Sequence, residues 1–267
     1  MKVYLVTDLE GVGGVWDWDH GQWSPEERAR ARSLLTGEVN AAVEGFLLGG
    51  ASEVIVNDGH GVGYSIDIED VHPRARVIHG QDRPIWLPLF DGTFAATGLV
   101  GAHAKANTAG ANLCHTMSSL SIDGYWVNDV SIGEIGLQAI TAGHFGVPFV
   151  FLSGDEYACR EVSELIPGVR TVATKLGLST RCACTLSPAA CREGIREGAA
   201  ASMELIGTVE PLTLGSPLVF RERRQRPDFD GRVPGEGERI LSRWEREISA
   251  TDPIDLTCKL YGYRPPA

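Results

Sequence analysis

No run of about 18 apolar residues occurs in the chain, so no segment reads as a membrane-spanning helix. Positive charge is short: Lys+Arg 24 stand against Asp+Glu 35, a formal net charge of -11, which argues against a broad nucleic-acid-binding face. The glycines at positions 11, 13 and 14 are not followed by Gly-Lys-Ser/Thr, which excludes a P-loop. Neither Gly-x-Ser-x-Gly nor His-Glu-x-x-His is present, so serine-hydrolase and zincin readings lack support. No charged n-region leads into an apolar h-region, and the expectation is a cytoplasmic protein without a signal peptide. Cysteine is sparse. In a chain of 267 residues without export signals, Cys114, Cys159, Cys182, Cys184, Cys191 and Cys258 read as reduced thiols.

What remains is ordinary soluble composition, 43% hydrophobic and 22% charged, long enough for one large α/β domain or one with a smaller companion. Val3 to Val6 form a short apolar strand, and Thr7-Asp8-Leu9-Glu10-Gly11 ends it with two carboxylates. Ser24-Pro25-Glu26-Glu27 then supplies an N-cap, a proline at N1 and a capping box. Apolar residues at helical spacing carry that helix to about Leu48, where Gly49-Gly50 stops it. Glu53 to Asn57 is the second strand, so the first two are parallel and joined by a right-handed crossover. Further strands are expected at 75–79, 97–101, 147–152, 169–172 and 218–220. A hairpin is expected to turn at Asn128-Asp129. Helices are expected from Gly133-Glu134 onward, from Asp155 to Leu165, over 188–206 and over 236–248, with a last strand at 254–260. The Arg-rich stretch from Arg221 to Arg246 reads as exposed.

Strands alternating with helices predict an α/β fold, a mainly parallel sheet flanked by helices. A soft boundary near Gly207 to Gly215 divides 1–207, a metal-binding catalytic domain, from 208–267, a smaller α+β segment. In such sheets ligands bind beyond the carboxyl ends of the strands. Asp8 and Glu10 follow the first strand, Asp58 and His60 the second, and His103 another core strand, while Glu134 opens a helix. Parallel strands bring these ends to one edge. Asp8, Glu10, His60, His103 and Glu134 therefore read as metal ligands. Asp58 reads as a support for His60, and Asp8 as the bridge between two ions. A carboxylate–imidazole set without thiolate suits Zn²⁺, with Mn²⁺ or Co²⁺ as alternatives. Two such ions activate a water for hydrolysis.

At these residues the sequence resembles the zinc D-aminopeptidases of the dipeptide-transport-operon type. The resemblance rests on Asp8-Leu9-Glu10-Gly11, Asn57-Asp58-Gly59-His60, Gly101-Ala102-His103-Ala104, His115-Thr116-Met117, and Asn128-Asp129 followed by Gly133-Glu134-Ile135-Gly136-Leu137. These motifs keep their order from the N-terminus to about Leu186, and the match fades after about Gly207. The resemblance implies a dinuclear zinc site made by the five ligands, with His115 as a catalytic residue beside it. It also implies hydrolysis of N-terminal D-amino acids from short peptides, and a homo-oligomer, decameric in the best-known member. Whether His115 is nucleophile, proton shuttle or oxyanion stabiliser stays open.

Competing readings are another two-metal hydrolase, acting on phosphoesters or non-peptide amides, and a non-catalytic metal-binding protein. His20, His72, His79 and His144 show no partner pattern and read as structural, and Cys182-Ala183-Cys184 with Cys191 lacks the second pair of a zinc knot.

Overall fold

A computed structural model describes residues 1–19 and 21–264. His20 and the last three residues of the C-terminal tail lie outside the described residues. Seven strands form the larger sheet: β1 (Lys2–Thr7), β2 (Glu53–Asp58), β3 (Ala75–Ile78), β4 (Ala96–Ala102), β7 (Phe149–Asp155), β8 (Arg170–Ser179) and β9 (Cys182–Thr185). Their order is β3-β2-β1-β4-β7-β8-β9. All neighbours are parallel except β8 and β9, which form an antiparallel edge hairpin.

The alternation of side chains along β1 divides the core into two layers. Val3 and Leu5 face α1 (Pro25–Leu48) and α4 (Pro188–Ser202), with Phe46, Phe151, Ile195 and Ala199 around them. Tyr4 and Val6 face the opposite layer, with Ile135 and Ala139 of α2 (Glu134–His144) and Val162 of α3 (Glu156–Leu165). The capping box at Ser24 and Glu27 forms, as does the Asp155 cap of α3.

A second sheet is antiparallel throughout, in the order β11-β12-β10-β5-β6. It comprises β5 (Ile122–Val127), β6 (Val130–Ile132), β10 (Leu218–Arg224), β11 (Glu238–Ile240) and β12 (Glu245–Ala250). Strands on either side of residue 207 thus pair within one sheet. Leu137 and Ile140 pack on it from α2, with Leu256 of α5 (Pro253–Tyr261). The helix α2 is therefore apolar on two faces because it lies between the sheets, which anchors Glu134 at its first turn.

β8 runs past the expected 169–172 to Ser179 and pairs with β9, which the sequence did not indicate, and two expected elements take another form. Residues 236–248 are not helical but form β11 and most of β12. Along β12 the inward positions are Arg246, Ile248 and Ala250, and a charged residue at a core position hides the strand alternation. Arg246 is buried because its guanidinium pairs with the buried Glu222 carboxylate and, at 2.9 Å, with Glu238, so the Arg-rich stretch is not uniformly exposed. Residues 254–260 are not a strand but lie in α5. Ile254, Leu256, Cys258 and Leu260 imitate alternation, yet the Asp252 carboxylate accepts the Ile254 and Asp255 N–H groups and Pro253 fills N1.

Candidate metal centre

The parallel register carries the strand ends to one edge. Thr7 lies opposite Asp58 and Val100, so the residues that follow each strand meet. Asp8 N–H donates to Val100 O at 2.8 Å, and Gly11 N–H to Gly101 O at 2.8 Å. His103 Nε2 lies 3.1 Å from Asp8 Oδ2 and 3.3 Å from Glu134 Oε1. His60 Nε2 lies 3.3 Å from Glu10 Oε1. His115 Nε2 is 3.8 Å from Glu134 Oε1, and its ring stacks on that of His103 with centroids 3.8 Å apart. Donor atoms of Asp8, Glu10 and His103 lie within 4.8 Å of one another, as do those of His103, His115 and Glu134. All five residues expected to be ligands, and His115, therefore occupy one cluster.

The hydrogen bonds decide which imidazole atoms face the carboxylates. His103 Nδ1 is 2.9 Å from Ala104 O, and His115 Nδ1 is 2.9 Å from Leu113 O. A carbonyl only accepts, so Nδ1 carries a proton in both rings and Nε2 is the nitrogen that faces the carboxylates. On His103 a bare lone pair would then point at two carboxylate oxygens, an arrangement that requires a proton or a cation between them. Glu10 Oε2 is buried without a hydrogen-bond partner among the described residues. These features fit a metal site with nitrogen and oxygen donors.

The electrostatics agree. Burial disfavours charge on His60, yet the Glu10, Asp8 and Asp58 carboxylates overcome it and raise its pKa to about 9. Burial likewise opposes charge on His103, and Asp8 and Glu134 hold it well above the usual value. Burial pushes Glu10 and Glu134 up, but the neighbouring imidazoles bring both down, Glu134 to about 2. Asp8 is raised to about 6, by burial first and then by the Glu10 charge. His115 goes the other way. Burial and then the His103 charge lower its pKa, so its own surroundings favour the neutral ring.

Three contacts were not legible in sequence. The Met117 N–H donates to Glu134 Oε1 at 2.6 Å, fixing that carboxylate, and Met117 adopts a positive φ of 58° to do so. Trp18 packs edge-on to His115, centroids 5.3 Å apart, from the aromatic loop after β1. Lys175 of β8 reaches the turn after β1 from the other side. Asp58 makes no hydrogen bond to the His60 ring and acts on it only through its charge. Its carboxylate accepts the Ser65 and Ile66 N–H groups and the Ser65 hydroxyl, organising the loop after β2.

A cavity of about 50 Å³ lined by Asp8, His103 and Glu134 shares Gly59, Trp86 and Met117 with a neighbouring cleft of about 630 Å³. Arg83, Tyr261 and Tyr263 also line that cleft.

A sequence model of the D-aminopeptidase family, peptidase family M55, matches residues 1–228. The chain belongs to this family. The matched span holds all five candidate ligands and His115, whereas β11, β12 and α5 lie beyond it. A D-aminopeptidase of Bacillus subtilis (strain 168) is 34% identical over 214 residues, covering 80% of this chain and 77% of that protein. The solved structure described as the Zn-dependent D-aminopeptidase DppA from Bacillus subtilis, a self-compartmentalizing protease, superposes with a TM-score of 0.91. It is 29% identical and covers 98% of this chain and 96% of its own. The remaining candidates of the sequence behave as structural groups. His72 Nδ1 accepts the Arg74 N–H, His79 meets Tyr64 edge-on and His144 meets Phe145. All six cysteines are free thiols.

Proposed function

We propose that Asp8, Glu10, His60, His103 and Glu134 hold two zinc ions, and that His115 handles protons during the removal of N-terminal D-amino acids from short peptides. The enzyme is a metal-dependent aminopeptidase of the M55 family. The observation that carries the ligand assignment is the clustering of three carboxylates with the imidazoles, His103 Nε2 lying 3.1 Å from Asp8 Oδ2 and 3.3 Å from Glu134 Oε1.

When bound, zinc polarises a carbonyl and makes a water nucleophilic at neutral pH. The chain's own residues do the rest. The Met117 N–H and the first turn of α2 fix Glu134. Leu113 O fixes the tautomer of His115, leaving Nε2 able to take a proton and release it to a departing amine. Trp18 covers the outer edge of that ring. Among two-metal hydrolases, the family membership favours amide bonds over phosphoesters.

Residues 1–207 supply every proposed ligand, and 208–267 are read as a smaller segment completing the second sheet. Self-association into a closed homo-oligomer, a decamer, is part of the proposal, supported by the description of the DppA relative as self-compartmentalizing. No helix among the described residues is long and apolar enough to cross a membrane, and action in the cytoplasm, where free thiols persist, completes the reading.

Turnover of D-alanyl-p-nitroanilide, its L-isomer and p-nitrophenyl phosphate, with zinc analysis on the same sample, tests the function. The expected result is two zinc ions per chain and cleavage of the D-anilide alone. Phosphatase activity without anilide cleavage overturns it. Light scattering on the same preparation tests the oligomer.

A further inference from the structure

Lys175 is buried, 3% exposed, and takes no part in the functional reading above. It projects from β8 toward the turn after β1, more than 150 residues away in the chain. Its ammonium donates to Glu10 O, to Val15 O at 2.6 Å and to Asn112 Oδ1 at 2.7 Å. A lysine ammonium has three donors, and all three are spent here. Beside it, Thr174 Oγ1 donates to Gly11 O at 3.0 Å.

The acceptors are chosen from the two segments whose relative position matters most. Glu10 and Val15 bound the turn that delivers a proposed ligand. Asn112 opens the loop that delivers His115, and it is itself held by its Nδ2 donating to Trp16 O and Thr180 O at 3.1 and 3.0 Å. One ammonium thus ties the backbone of Glu10 to the start of the His115 loop. A carbonyl held by a cation cannot rotate freely, and the direction of the Glu10 side chain follows from its own backbone.

We propose that Lys175 is a positioning residue of the metal centre, an internal cation that fixes Glu10 relative to His115. This rests on the ligand assignment proposed above. Its chemistry is distinctive: a cation bound entirely by neutral oxygens, next to a site built to take cations with anionic ones. The ammonium bonds the Glu10 backbone carbonyl and not its carboxylate, whose Oε1 lies 3.3 Å from His60 Nε2.

The test compares wild type with Lys175→Met, similar in length and uncharged. Metal-free proteins are titrated with zinc against a chromophoric chelator. Folding is followed by circular dichroism, and kcat and KM are measured at saturating zinc. Loss of a partner that orients a ligand weakens metal binding by about 10- to 100-fold. The expected result is a folded variant with one zinc site weakened to that extent, with kcat lowered at saturating zinc and KM little changed. Zinc affinities within twofold of wild type overturn the proposal.

If the variant does not fold, ¹⁵N NMR of lysine side chains in wild type decides. The clamp requires an exchange-protected ammonium signal whose shift moves on zinc loading. Absence of a protected signal, or a signal indifferent to bound zinc, overturns the clamp. Wild type that takes up no zinc overturns the metal reading instead, while the protected signal still reports the clamp in the metal-free protein.

Discussion

Glu38 offers a measurable link between pH and the turn that delivers Asp8 and Glu10. It lies on α1, 3% exposed, with Oε1 accepting the Gly13 N–H at 2.8 Å. Its Oε2 has no hydrogen-bond partner among the described residues. Burial raises its pKa from 4.5 to about 7, against the Gly13 hydrogen bond and the charges of Lys175 and Arg192. A carboxyl whose pKa rises on folding holds its proton more tightly in the native state. Between the two values the folded protein binds more protons than the unfolded chain, so stability falls as pH climbs through that window. Below 4.5 the two states are both protonated and the effect vanishes.

The shift amounts to roughly 3 kcal/mol of lost stability at pH 8. Glu38→Gln keeps a carbonyl for the Gly13 N–H and cannot ionise. Relative to wild type, the variant therefore gains about 3 kcal/mol between pH 4.5 and pH 8, or about 5 °C in Tm for a chain of this length. Thermal melts of the metal-free proteins, in half-unit pH steps, measure the gap. A gap that stays constant across that range refutes the assignment of a buried, protonated carboxyl.

Three further outcomes are expected. His115→Ala keeps its zinc and loses about 10²- to 10⁴-fold in kcat, read by zinc analysis and steady-state kinetics on one sample, and near-normal turnover removes His115 from the mechanism. Removing zinc with a chelator abolishes turnover and lowers Tm by about 5 °C per site relative to protein held at 100-fold the dissociation constant, which calorimetry with and without zinc checks. Gly101→Ala fails to give stable protein: φ is +77° there and a Cβ would sit 2.0 Å from Asp8 O, so expression and thermal melts against wild type should show a loss above about 3 kcal/mol.

Much of the larger sheet was legible because its strands are short apolar runs bounded by turn residues, and because Ser24, Pro25, Glu27, Asp155 and Gly49 mark helix ends by local chemistry. The hairpin at Asn128-Asp129 was legible for the same reason, and both residues take the positive φ that such a turn needs, 46° and 65°. The second sheet was misread where local pattern and tertiary partner disagree. Arg246 occupies a core position only because Glu222 and Glu238, distant in sequence, neutralise it. The strand-like alternation of 254–260 gives way to a helix because Asp252 caps it and one stripe, Pro253, Leu256 and Thr257, finds a core. Around the proposed metal centre Asp8, Glu10, His60 and His103 were legible as strand-end groups and Glu134 as the opening of a helix, whereas His115 came in through the family resemblance. The groups that aim them were not legible, since the Met117 N–H, Trp18 and Lys175 act through contacts that no spacing rule encodes.

The spacing of the proposed ligands is set by backbone approach rather than by side-chain reach. Asp8 and Glu10 leave β1, and His103 leaves β4, through a crossing so close that a Cβ on Gly11 would lie 1.9 Å from Ala102 O. From the other side, a Cβ on Gly101 would lie 2.0 Å from Asp8 O. Any larger residue at either position would spread the two strand ends. His103 Nε2, now 3.1 Å from Asp8, would then withdraw from the shared point. The motif glycines and the proposed ligands therefore form one device. Short carboxylate and imidazole side chains meet at a single centre only because the main chains that carry them are already in contact. A substitution that relaxes the crossing should lower metal affinity before it alters the chemistry of any ligand.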